Sequence, residues 1–247
     1  MELTIVNPHA KYAHVRLIEP PATGYLLLAA VAEPAAGRTP FPRRGPRKAA
    51  LLAEMKALAA RLEQLDMVSK ATVYRAALLP PPNRDALRMG SRPARYDVVA
   101  LVETSSVAAV DDVAAGPEFG KLAETVTSAA REVYLMRARC LRRVADVDKT
   151  RPGLFLFNFF VAEDPAIALD LWDHLAAWYA AETGLDNSTL LGPVDKSDYV
   201  FVNHARWDIS LPRFAVRQLS KPSFYRYVLA NLRANRTAAM PILYHLA

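Results

Sequence analysis

The sequence holds a single cysteine, Cys140, in 247 residues. One thiol excludes an internal disulfide and fits a reducing, cytoplasmic setting. Its place in "REVYLMRARCLRRV" reads as strand packing. Glycine is also scarce, with nine residues. None builds a Walker-type loop, a dinucleotide fingerprint or a nucleophile elbow. No cluster of His, Cys, Asp and Glu has metal-ligand spacing, so neither a metal nor another cofactor is expected. Long apolar runs are missing too. The best candidate, "GYLLLAAVAEPAAG", is broken by Glu33 and Pro34. It falls short of the roughly 18–20 apolar residues of a membrane span. The start, "MELTIVNPHAKYAHVRL", lacks the basic stretch and apolar run of a secretory signal.

What is present is the composition of a globular protein, 52% apolar and 23% charged. The length suits one large domain or two small ones. The net charge of +6 is concentrated in "RRGPRK" (43–48), "RMGSRPAR" (88–95) and "RARCLRR" (137–143). Basic surfaces attract anions. The first two clusters lie in Pro-rich loops without interleaved aromatics, so they read as solvated loops and argue against nucleic acid. The partner expected is a small molecule, aromatic or anionic.

Strand and helix patterns alternate along the chain. "YLLLAAVAE" (25–33) is a buried strand. In "KAALLAEMKALAARLEQL" the residues Leu51, Leu52, Met55, Leu58, Ala59, Leu62 and Leu65 form a 3.6-residue stripe, a helix. Strands 69–79 and 96–104 follow, then a helical stretch 107–128 broken near Gly116-Pro117, then a strand 131–144. The order recurs. "LFLFNFFVAE" (154–163) is a strand. A helix follows, opened by Pro165 and closed by Gly184. Strands 187–194 and 199–208 come next. A helical stretch 211–235 breaks at Pro222, and a strand 238–247 contains Pro241, which fits only an edge or a bulge.

Each half therefore reads β-α-β-β-α-β, divided into residues 1–148 and 149–247. Three local matches in the same order support a true repeat: "VAEPA" with "VAEDPA", "YDVVALVET" with "YVFVNHARW", and "GPEF" with "KPSF". The first copy alone carries Pro/Arg-rich insertions. Two such units in one chain resemble a tandem member of the dimeric α/β-barrel superfamily. The resemblance implies an α+β fold of two ferredoxin-like repeats packed sheet to sheet as one intramolecular barrel, as a monomer or homodimer. The spacing from Trp207 to Phe224, with "KPSF", is similar to the antibiotic-biosynthesis monooxygenase and stress-responsive branches.

Strand alternation divides "YVFVNHARWD" into two faces. By comparison with the apolar face of "YDVVALVET", Tyr199, Phe201, Asn203, Ala205 and Trp207 are assigned to the helix-covered side. Val200, Val202, His204 and Arg206 then face the opposing sheet. Cofactor-free anthrone-type monooxygenases of this superfamily carry an Asn-x-x-x-Trp pair on this strand and an Asn on the first. The resemblance thus implies catalytic roles for Asn203 and Trp207, with Asn158 as the further amide. Tyr199, Phe201, Trp178 and Arg206 complete the candidate substrate contacts. Polyketide-cyclase members use a strand His with a Tyr, which would fall to His204. A helical His serves as haem ligand in other members, but His174 reads as the solvent side of its helix. Glu103 and Arg206 occupy equivalent positions with opposite charge. They are expected to meet each other or the opposing sheet, with Arg137 and Arg139 joining them. The bland alternative is a buried Asn beside a core Trp in a catalytically silent barrel.

Overall fold

A computed structural model describes residues 2–7, 12–33 and 39–247. Parts of the N-terminal stretch and of the first insertion, with Pro34 and Ala35 of "VAEPA", lie outside the described residues. Eight strands close into one antiparallel barrel: β1 (Gly24–Val31), β2 (Val68–Leu78), β3 (Val98–Thr104), β4 (Glu132–Ala145), β5 (Leu154–Ala162), β6 (Ser188–Pro193), β7 (Phe201–Trp207) and β8 (Thr237–Leu246). The order around the barrel is β1-β3-β2-β8-β5-β7-β6-β4. Strands β4-β1-β3-β2 and β8-β5-β7-β6 are the same arrangement used twice. The seams β2–β8 and β4–β6 join the two sets.

The helices lie outside. α1 (Pro46–Leu62) begins on Pro46, where a missing N–H costs nothing, and turns Leu51, Met55, Leu58, Ala59 and Leu62 inward. It packs on α4 (Pro117–Ala129), which follows α3 (Ala109–Ala115). α5 (Pro165–Thr183) is capped by Asp164, whose side chain accepts from Ala166 N and Ile167 N. It ends at Gly184, in the left-handed conformation at φ 75° that glycine adopts without steric cost. α6 (Leu211–Leu219), a π-helical turn (Phe224–Leu229) and α7 (Ala230–Ala234) form the other outer wall of the second repeat. The second insertion, read as a loop, contains a short helix α2 (Arg84–Arg88) capped by Asn83.

The core is layered. Inside the barrel lie Tyr74, Phe155, Phe157, Phe159, Met240 and Tyr244 among others. Fully burying such a side chain contributes about 1.5–3 kcal/mol. Further apolar clusters fill the space between sheet and helices, one in the first repeat and two in the second. Pro241 is tolerated because β8 pairs with β2 only from Leu243 onward, so only its β5 side is bonded there.

Alternation fails at one place, and it fails in both repeats. Bends at Asp97 and Val200 precede β3 and β7. They turn Tyr96 and Tyr199 into the barrel, correcting their assignment to the helix side. These equivalent tyrosines meet hydroxyl to hydroxyl at 3.0 Å, on the pseudo-twofold between the repeats. Removing one hydroxyl leaves its partner buried and unpaired. Tyr96→Phe or Tyr199→Phe should each cost about 1 kcal/mol, whereas the double variant should recover part of the loss. Chemical denaturation of the three variants tests this, and simple additivity would refute the pairing.

The linker after β4 closes one barrel end. Val147 is buried in the barrel core, and Lys149 pairs with Glu103 at 2.9 Å. Arg206 is 3% exposed. It donates to Pro152 O at 2.7 Å, pairs with Asp208 and lies over the Phe155 ring. Glu103 and Arg206 are thus each held by the linker segment rather than by one another. Arg137 takes no part, because it points outward to Asp111 and Asp195. Arg139 also faces outward and is exposed.

Candidate functional site

The sequence-predicted residues divide between two places. Asn158 of β5 and Asn203 of β7 are direct cross-strand neighbours facing the helices of the second repeat. With Trp207 they line a cavity of about 40 Å³. Leu156 and Phe160 of the sheet, Trp172, Leu175 and Tyr179 of α5, and Val228 and Leu232 of the facing wall close it. The first repeat offers no counterpart chemistry, since Ala100 stands where Asn203 stands.

Both amides are nearly buried, 8% exposed for Asn158 and 7% for Asn203. A buried polar group without a partner costs about 1–3 kcal/mol, so its hydrogen bonds need accounting. Ser188 Oγ donates to Asn203 Oδ1 at 2.6 Å. That bond orients the amide and leaves its Nδ2 without a protein partner among the described residues. Asn158 Oδ1 has no partner either. The sheet beneath the cavity therefore holds a free donor beside a buried, unpartnered acceptor. Trp207 is fixed by its Nε1–H, which donates to Thr183 Oγ1 at 3.1 Å, and Thr183 in turn donates to Tyr179 O. Its ring packs on Phe214.

Phe201 and Trp178 are on the helix side but do not line the cavity. Phe201 stacks on Phe160 with ring centroids 4.7 Å apart, and Trp178 donates to Ser223 Oγ at 3.0 Å. They support its walls, which corrects their reading as substrate contacts. Tyr199 lies on the barrel side instead. Arg206, on the barrel side as its face assignment had it, is held by Pro152 O and Asp208 away from the cavity. Neither is therefore a contact of this cavity. Trp172, Tyr179, Thr183 and Ser188 are the members that sequence reading missed. Trp172 and Tyr179 were visible only as apolar positions of a helix, and Ser188 carried no signal in a short strand.

His204 sits inside the barrel, 1% exposed, stacked on Phe157 at 4.2 Å between centroids. Its Nδ1 lies 3.0 Å from Leu156 O. A carbonyl can only accept, so Nδ1 carries the proton and Nε2 accepts from Tyr74 OH at 3.2 Å. Burial, then the charge of Lys149, push the imidazole pKa down to about 3. A ring this weakly basic and fully sealed has no access to substrate, which corrects its catalytic assignment. His174 is half-buried rather than on a solvent face, stacked against Tyr227 between α5 and the π turn.

Twice-used strand order, external helices and a barrel closed within one chain define the architecture. It aligns with a solved anthrone oxidase-like protein at TM-score 0.63, with 14% identity over 94% of each chain. The fold is an α/β barrel of two tandem repeats closed within one chain. A Fusobacterium nucleatum protein named as a monooxygenase superposes on this tandem barrel at TM-score 0.56, with 6% identity over 91% of each chain. No protein-family model and no curated protein sequence matches the tandem barrel. Among the described residues, none of its helices is long and apolar enough to cross a membrane, and no group of three His, Cys, Asp or Glu could hold a metal ion.

Proposed function

We propose that this protein oxygenates an acidic aromatic or polyketide-like small molecule without a cofactor, at the cavity beneath α5. The observation that carries the reading is the free donor of Asn203 beside the free acceptor of Asn158, with Trp207 on the same cavity. The anthrone oxidase-like protein shares the architecture at low identity. In this role Asn203 Nδ2 donates to the substrate oxygen as negative charge develops on it. Asn158 Oδ1 accepts a hydrogen bond from a substrate hydroxyl, and Trp207 offers an aromatic face.

Among the lining residues only Tyr179 titrates, and burial pushes its pKa up, away from neutrality. The substrate must therefore ionise without a protein base, as an anthrone or an activated phenol does. Its carbanion takes up O₂ to form a C–O bond. The resulting hydroperoxide loses water, so a ring CH₂ and O₂ become a ring C=O and H₂O.

The closed cavity has room for water-sized guests, whereas drug-sized ligands occupy roughly 300–1,000 Å³. Entry of a tricyclic substrate requires α5 and the wall of Val228 and Leu232 to part. The π turn in that wall is the kind of local irregularity that functional helices carry. Oxygen uptake with an anthrone substrate tests the proposal. Asn203→Ala should lower kcat about 10²–10³-fold with little change in melting temperature. Trp207→Phe should mainly raise KM. Full turnover in both variants sinks the site assignment, and no oxygen uptake by the parent protein leaves a non-catalytic barrel.

A further inference from the structure

The first repeat carries a different feature at the opposite end of its sheet, independent of the cavity above. Arg43, Arg44 and Arg47 at the start of α1 converge with Arg131, which precedes β4, around a concavity of about 870 Å³. All four side chains are exposed, and none pairs with a carboxylate among the described residues. The other charges here are already matched. Lys48 is buried against Asp97 at 2.6 Å. Glu33 accepts from Gly45 N and Lys48 N and so occupies the N-terminus of α1.

The second repeat serves as an internal control. There Arg236 holds the position of Arg131, immediately before the last strand, and Glu163 holds that of Glu33. Those two pair at 2.7 Å. In the first repeat the glutamate has been diverted to the helix end, its arginine is left free, and three more arginines have been added by the insertion. Like charges gathered this closely repel one another and gain most from a multivalent anion.

We propose that this concavity binds a small phosphorylated molecule with two adjacent phosphoryl groups. Guanidinium forks match phosphate oxygens in bidentate pairs, and four of them exceed what a single carboxylate would need. The volume suits a small ligand. A nucleic-acid strand is disfavoured because no aromatic side chain lines the site for base stacking. Two basic groups outside the concavity are instead engaged with carboxylates, Arg88 with Asp85 and Arg137 with Asp111 and Asp195.

Calorimetric titration of the whole protein with inorganic pyrophosphate, beside sulfate at equal ionic strength, tests this. One saturable site is expected, tighter for pyrophosphate. The triple variant Arg44→Ala, Arg47→Ala, Arg131→Ala should weaken it about tenfold or more, while Arg88→Ala with Arg137→Ala leaves it unchanged. These side chains are exposed, so an unaltered melting temperature confirms that the fold is intact. The proposal is overturned by a lack of preference over sulfate, or by equal loss in the control variant. A single-stranded oligonucleotide that binds through the same arginines far more tightly than pyrophosphate would overturn it in favour of nucleic acid.

Discussion

Asp97→Ala is expected to destabilise the protein by about 3–5 kcal/mol, the cost of stranding a buried charge. Asp97 is fully buried, and Lys48 is 5% exposed. The carboxylate accepts from Ala32 N at 2.7 Å and Glu33 N at 3.0 Å, and it pairs with Lys48 Nζ at 2.6 Å. Its removal leaves the buried ammonium without its counter-charge, held only by Arg43 O, and two backbone donors without an acceptor. The second repeat shows how the same place is built without charge. Counted from the proline that opens each helix, Lys48 corresponds to Ile167, and Asp97 corresponds to Val200. Lys48→Ile with Asp97→Val should therefore recover most of the loss, because replacing a buried pair by apolar side chains is often neutral or stabilising. Denaturant midpoints of the single and double variants decide it. A double variant as unstable as the single would show that the two backbone donors, not the ammonium, dominate the cost.

Acid should weaken the fold through His204. In the unfolded chain this imidazole takes up a proton near pH 6.5. In the barrel it does so only near pH 3. The unfolded state then binds more protons between these values, so stability falls as pH drops through that window. The contribution of His204 is complete above pH 6.5 and is reduced by about 2 kcal/mol at pH 5. For a chain of this size that corresponds to a fall of roughly 5 °C in melting temperature. His204→Gln keeps a donor for Leu156 O and an acceptor for Tyr74 OH but cannot titrate. It should lower stability at pH 7.5 while making the curve flatter between pH 7 and pH 5. A variant whose melting temperature declines as steeply as the parent's would place the acid sensitivity elsewhere.

The architecture was legible because its signals were periodic. The stripe of Leu51, Met55, Leu58 and Leu62 and the caps around α5 each came from local chemistry that the barrel preserves. Face assignment succeeded where the backbone is extended, as at Asn203 and His204. It failed at Tyr96 and Tyr199, because the bends at Asp97 and Val200 break the twofold alternation without any glycine or proline to announce them. Asn158, Asn203 and Trp207 could be grouped from the sequence. Their cavity's size could not, because it depends on how Trp172, Tyr179 and Val228 fill the gap between α5 and the facing wall. The arginine cluster looked like a solvated loop because Arg131 lies more than eighty positions away from its partners.

Closure of the barrel also sets an order of events during synthesis. When β4 has been made, the first repeat has its own sheet and helices, but β2 and β4 still lack their outer neighbours. Those edges are covered only by β8 and β6 of the second repeat. Roughly a hundred residues must be added before β8 is complete, which at about 5–20 residues per second takes roughly 5–20 s. β6 is complete by Pro193 and covers β4, but the outer edge of β2 stays unpaired until β8 is made, beside the inward-facing aromatic side of a half-barrel. Such edges template pairing with other chains. The fused chain spares itself the search for a second subunit, but each molecule passes through a stage at which another half-finished copy is the most complementary surface nearby.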